Sequence, residues 1–150
     1  MNTFSESKLN EVANQSLYTT FTNSNTILYS FKIFSRFLKQ GKILELGPAE
    51  GLMTEHLLQY DPSLTVIEGS SVFANQLKEK FPNLTIIQSL FEETVLDEKF
   101  DFIVLGHVLE HVADPVVLLK IINQWLTPNG KVLCAVPNAQ SIHRQAAVEM

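Results

Sequence analysis

The chain has 150 residues, of which 45% are hydrophobic and 18% charged, with a net charge of −5. These values fit one globular domain large enough to bury a core, and they exclude a disordered chain. The acidic balance disfavours a nucleic-acid partner, whose footprint is basic, and a single cysteine, Cys134, excludes an intrachain disulfide and a cysteine-rich zinc site.

Residues 1–24 read as an N-terminal segment with little pattern and no apolar signal core. No apolar run is long enough to span a bilayer, so a cytoplasmic protein without a membrane partner is expected. The domain is taken as residues 25–150. Asn25-Thr26 is read as the start of a helix in which Ile27, Phe31, Phe34 and Leu38 recur at helical spacing, with Lys32, Arg36 and Lys39 on a solvated face. Gly41 ends it, and KILEL follows as a buried strand. LMTEHLLQY is the next helix, LTVIEG from Leu64 the second strand, and Ser71 caps a helix over SVFANQLKEKF. LTIIQS from Leu84 is the third strand and FDFIVLG, Phe100 to Gly106, the fourth. Asp114-Pro115 combines a side-chain cap with proline in the first turn and opens the helix VVLLKIINQWL. TPNG is read as a turn and KVLCAVP as the fifth strand, with Cys134 and Trp125 in the core. Near-continuous apolar strands alternating with helices specify an α/β, doubly wound, mostly parallel sheet.

Ligands of such sheets bind beyond the carboxyl ends of the strands, where strand order reverses. ELGPAEG, Glu45 to Gly51, occupies that place after the first strand. Gly47 and Gly51 allow close approach to the backbone. A dinucleotide loop reads G-x-G-x-x-G and offers a helix start to pyrophosphate. Here two carboxylates, Glu45 and Glu50, flank the loop, which suits a ligand with cationic groups and no phosphate. Glu68 closes the second strand about 20 residues on, where an acid can accept hydrogen bonds from ribose hydroxyls.

These residues, together with VIEGSS, IIQSLFEE, FDFIVLGHVLEHVADP and LTPNGKVLCAVPN, resemble the class I S-adenosylmethionine-dependent methyltransferases of small-molecule type over residues 40–140. The resemblance implies a Rossmann-like fold and S-adenosyl-L-methionine as cofactor, with S-adenosyl-L-homocysteine as product. It implies that Glu45, Gly47, Pro48, Ala49 and Gly51 lie against the methionine part, and that Glu68 and Gly69 hold the ribose. Ser89, Leu90 and Phe91 would frame the adenine; many relatives have an aspartate at the place of Ser89. Gly106 and His107 would face the reactive end, with Tyr18 or Phe21 closing over it. The acceptor is expected to be a small molecule offering oxygen or nitrogen.

Methyl transfer needs alignment above all, worth roughly 7–11 kcal/mol, and an O or N acceptor can need a base. His107, His111 and His143 are the candidates; His56 is read as a surface or packing residue. Some RNA and quinone-precursor O-methyltransferases carry Glu-x-x-Glu-His here and bind a divalent ion. This chain reads His-x-x-Glu-His at residues 107–111, taken as pocket lining with no metal. Relatives also continue with a helix and two more strands, so the usual last two strands are expected to be missing. The fifth strand would then be an open edge that invites a homo-oligomer, or cover from residues 140–150 or 1–24. Two other readings remain at this point. One is a cofactor-binding but inactive or structural domain; the other is a nicotinamide-dependent dehydrogenase.

Overall fold

The computed structural model describes residues 5–14 and 21–138. Among these residues five strands form one sheet in the order β3-β2-β1-β4-β5: β1 is Ile43–Leu46, β2 Thr65–Glu68, β3 Thr85–Gln88, β4 Phe100–Gly106 and β5 Leu126–Ala135. All four neighbouring pairs are parallel. The helices are α1 Glu6–Asn14, α2 Phe21–Phe34, α3 Leu52–Leu57, α4 Ser71–Lys80 and α5 Pro115–Trp125. Strand order reverses beside β1, so the carboxyl ends of β1 and β4 flank the crevice that such sheets use for ligands.

Side chains alternate across the sheet with a period of two. Ile43, Val66, Phe102 and Val104 pack on one side with Met53 and Leu57 of α3 and Leu77 of α4. Leu44, Leu46, Ile67, Ile103 and Leu105 face the other side, against Leu118, Ile122 and Trp125 of α5. Burial of each such side chain stabilises the fold by about 1.5–3 kcal/mol. The same alternation puts Glu45 on the α3 side of the sheet, two residues on from Ile43.

Several sequence expectations hold. Asp114 Oδ1 accepts the Val116 and Val117 amide N–H groups at 2.9 and 3.1 Å, starting α5. Trp125 is buried. His56 stacks on Phe31, ring centroids 4.7 Å apart. Lys32, Arg36 and Lys39 are exposed. Among the described residues no helix is long and apolar enough to cross a membrane.

Other expectations are corrected. Residues 6–14 form a helix despite their weak pattern; among the side chains described in it, Leu9, Asn10 and Ala13 turn inward, too thin a stripe to read from the sequence. Helix α2 starts at Phe21, ahead of Asn25, and its regular part ends at Phe34. The chain then tightens: the Arg36 and Phe37 amides donate three residues back, to Ile33 and Phe34, and this still delivers Leu38 to the core. Ser70, not Ser71, caps α4, its Oγ accepting the Phe73 N–H at 3.3 Å. TPNG is a bulge inside β5: Phe100 pairs with Leu126 and Phe102 with Lys131, so the intervening residues loop out of register. Cys134 is exposed rather than in the core. Its strand ends the sheet order, and of β5 only Leu133 is buried among the described residues.

Candidate functional site

A cavity of about 770 Å³ opens at the carboxyl ends of the strands. Its floor begins at Glu45, which is only 2% exposed. Thr54, one turn into α3, donates its hydroxyl to Glu45 Oε2 at 2.7 Å. Burial pushes the Glu45 carboxyl up to about 8, against the Thr54 hydrogen bond and with help from the nearby Glu68 charge. A lone carboxylate in so dry a place is costly when charged, and a cationic group beside it removes that cost.

Glu68, 5% exposed, ends the adjacent strand. Its Oε1 accepts the Ser70 N–H at 2.8 Å and its Oε2 accepts the Ala49 N–H at 3.1 Å. Burial raises this carboxyl too, opposed by the Ser70, Ala49 and Gly69 N–H groups. The Ala49 bond ties the glycine loop of β1 to the acid of β2. A carboxylate has about four lone-pair sites, so acceptor capacity remains.

The loop takes left-handed backbone at Gly47 (φ 63°), Ala49 (φ 49°) and Gly51 (φ 77°). A Cβ on Gly47 would lie 3.0 Å from Val108, at the cavity wall. Gly51 has another purpose. A Cβ there would sit 2.7 Å from Phe81 and 2.9 Å from Leu77, so this glycine admits α4, and it is absent from the cavity lining.

Pro48, Gly69, Ser89, Leu90, Phe91 and Gly106 all line the cavity with the residues above. The Ser89 hydroxyl donates to the Leu90 carbonyl at 3.1 Å. Phe91 starts a short 3-10 turn, Phe91–Glu93, whose fold is fastened by Thr94 donating to the Leu90 carbonyl.

His107 follows β4 with φ 61°, a conformation that costs a residue with a Cβ about 1–2 kcal/mol. Its N–H donates to the Ala135 carbonyl of β5 at 2.9 Å, which fixes the turn. Nδ1 lies 3.5 Å from Glu110 Oε1 and Nε2 lies 3.4 Å from the Ser30 hydroxyl. Ser30, 8% exposed on α2, also donates to the Thr26 carbonyl at 3.0 Å. A hydroxyl, an imidazole and a carboxylate thus stand in line at the cavity edge, and strained residues of this kind cluster at functional sites. His111 is exposed at the same cavity. His143 and Tyr18 lie outside the described residues, and of Phe21 only its place in α2 is described. Among the described residues no group of three His, Cys, Asp or Glu side chains could hold a metal ion.

Sequence reasoning missed Thr54, Ser30 and Leu9. Thr54 carried a readable signal, a small polar residue one turn into the helix after a buried acid. Ser30 and Leu9 carried none.

A family model described as a methyltransferase domain matches residues 26–150. The chain belongs to this methyltransferase domain family. It is 30% identical over 112 residues to the ubiquinone biosynthesis O-methyltransferase of Pasteurella multocida (strain Pm70), covering 65% of this chain and 46% of that protein. It is 27% identical over 88 residues to the ribosomal RNA small subunit methyltransferase A of Chlorobium luteolum (strain DSM 273 / BCRC 81028 / 2530), covering 57% and 32%. This methyltransferase domain therefore spans less than half the length of these two relatives. Its fold matches a solved DhpI-SAM-HEP complex with a TM-score of 0.76 over 95% of this chain and 68% of that one, at 19% identity.

Proposed function

We propose that this methyltransferase domain binds S-adenosylmethionine and transfers its methyl group to a small-molecule oxygen or nitrogen acceptor. The observation that carries the reading is the pair of buried carboxylates, Glu45 and Glu68, at the ends of adjacent strands in one cavity. The residues fit the cofactor. Its sulfonium and ammonium groups suit a cavity whose acids are costly to ionise alone, and its ribose hydroxyls suit the acceptor capacity left on Glu68. A dehydrogenase is disfavoured, since these acids would face a pyrophosphate.

When bound, the cofactor supplies a methyl group activated by its attachment to sulfur. The chain's own task is then to orient the acceptor and take its proton. In this reading Glu110 keeps a proton on His107 Nδ1, so that Nε2 accepts the acceptor's proton and the resulting imidazolium stands beside a carboxylate. In the imidazolium, Nε2–H donates to the Ser30 hydroxyl oxygen on α2, whose own proton goes to the Thr26 carbonyl. His111, at the same cavity, is the second candidate base. The small-molecule class is favoured over RNA by the net charge of −5 and by a cavity in which no lysine or arginine among the described residues takes part.

Titration calorimetry with S-adenosylhomocysteine tests the cofactor assignment. Glu68→Ala should weaken binding at least tenfold, because hydrogen bonds to a charged group are worth about 1.5–3 kcal/mol. Glu68→Gln, which keeps one acceptor oxygen, should lose less. Unchanged affinity in the alanine variant removes Glu68 from the cofactor site.

A further inference from the structure

Gly69 leaves a gap next to the acid of β2, and a different part of the chain fills it. A Cβ on Gly69 would lie 2.6 Å from Leu9 Cδ1 and 3.3 Å from Leu90 Cδ2. The Leu9 methyl therefore occupies the volume that any side chain at position 69 would take. Leu9, Gly69 and Leu90 all line the cavity, which places an apolar group from α1 beside the strand end that carries Glu68.

The helix is latched at that point. The Ser70 hydroxyl donates to Asn10 Oδ1 at 2.7 Å, and Asn10 Nδ2 donates to the Ser71 hydroxyl at 3.1 Å. Ser70 is the cap of α4 and its N–H is held by Glu68. One amide side chain thus connects α1 to Ser70, whose N–H the Glu68 carboxylate accepts, and to Ser71, the first residue of α4. Farther along the edge, Gln88 Nε2 donates to Glu6 Oε1 at 3.2 Å. A nine-residue helix is not stable alone in water. Its order here depends on contacts that include those of Leu9, Asn10 and Ala13; Leu9 lines the cavity, and Asn10 is bonded to Ser70, which lines it too.

We propose that α1 is part of the nucleoside-binding site, with Leu9 supplying the apolar wall that Gly69 lacks and Asn10 latching the helix in place. The ligand chemistry is a purine nucleoside: a flat apolar base beside Leu9 and Leu90, and hydroxyls beside Glu68. The inference rests on the proposed cofactor site and extends it to residues 6–14, none of which the sequence pattern singled out for the site.

The test is calorimetric binding of S-adenosylhomocysteine and of 5′-methylthioadenosine, which keeps the nucleoside and lacks the amino-acid end. Leu9→Ala should weaken both ligands by a similar factor, about tenfold, as expected from losing one well-buried apolar contact. Asn10→Ala should weaken both by a smaller common factor. In parallel, saturating S-adenosylhomocysteine should slow tryptic cleavage at Lys8, because cleavage requires α1 to undock. Thermal unfolding of each variant excludes loss of the fold as the cause. Equal affinities of wild type and Leu9→Ala for both ligands overturn the role of α1 and leave the cofactor assignment intact. So does a loss confined to S-adenosylhomocysteine, or a cleavage rate that the ligand does not change. Failure of the wild-type chain to bind either ligand overturns the cofactor assignment itself, and the proposed role of α1 with it.

Discussion

Two buried acids at the two ends of β1, one in the strand and one in the loop before β2, meet opposite fates. Asp61, at the amino end of β1, is 8% exposed and accepts the Ile43 N–H at 2.7 Å and the Ser63 N–H at 2.9 Å, one on each oxygen. Glu45, at the carboxyl end of the same strand, receives the Thr54 hydroxyl on one oxygen and lines the cavity. Asp61 is spent on the backbone, joining the loop before β2 to the start of β1. Glu45 is held in position with no cation beside it among the described residues. The difference separates an acid that builds the fold from one that is kept for a ligand, although both are buried carboxylates in one-letter code.

The largest expected effect breaks or sharpens this contrast through pH. The folded chain holds the Glu45 proton up to about 8, whereas the unfolded chain loses it near the ordinary value of 4.5. Between those values the folded state binds more protons, so its stability falls as pH rises and levels off above about 8. Glu45→Gln should remove that slope and exceed the wild type by a few kcal/mol at pH 9, read from urea unfolding at a series of pH values. A variant that unfolds with the wild-type pH profile would falsify the uncompensated acid. Binding of S-adenosylhomocysteine, with its ammonium group, should strengthen with pH through the same window in the wild type alone.

A smaller change is expected at the other end. Asp61→Ala leaves two amide N–H groups without their acceptor and should cost about 1–3 kcal/mol of stability. Its affinity for S-adenosylhomocysteine, measured below the unfolding transition, should match the wild type. Lost affinity with unchanged stability would reverse the assignments of the two ends.

The smallest effect concerns His107. Removing the Ser30 hydroxyl deletes its contact with His107 together with its bond to the Thr26 carbonyl, each worth about 0.5–1.5 kcal/mol net. In nitrogen-15 spectra, Ser30→Ala should move the Nε2 resonance of His107 and leave that of His56 unchanged, with cofactor affinity unaltered. Spectra identical to the wild type would detach Ser30 from the imidazole.

Much of the cavity was legible in the chain because its signals are local. Glu45, Gly47 and Glu68 stand at the ends of short apolar runs, and a parallel sheet brings such ends to one edge regardless of detail. Asp114-Pro115 marked a helix start through bonds that span only two or three residues. Gly51 was harder, since its place in the motif suggested a ligand and its true neighbours are Phe81 and Leu77, some thirty residues away.

The sequence by itself determined the alternation of strands and helices, the acids at two strand ends and the family to which they point, because side-chain period and turn chemistry act over a few residues. Tertiary structure alone decided that Leu9 fills the place beside Gly69, that Ser30 meets His107 across 77 positions of chain, and that Cys134 faces outward on an edge strand. Those outcomes depend on how separate elements dock. Docking is settled by the fit of whole surfaces, to which any one residue contributes too little to be read alone.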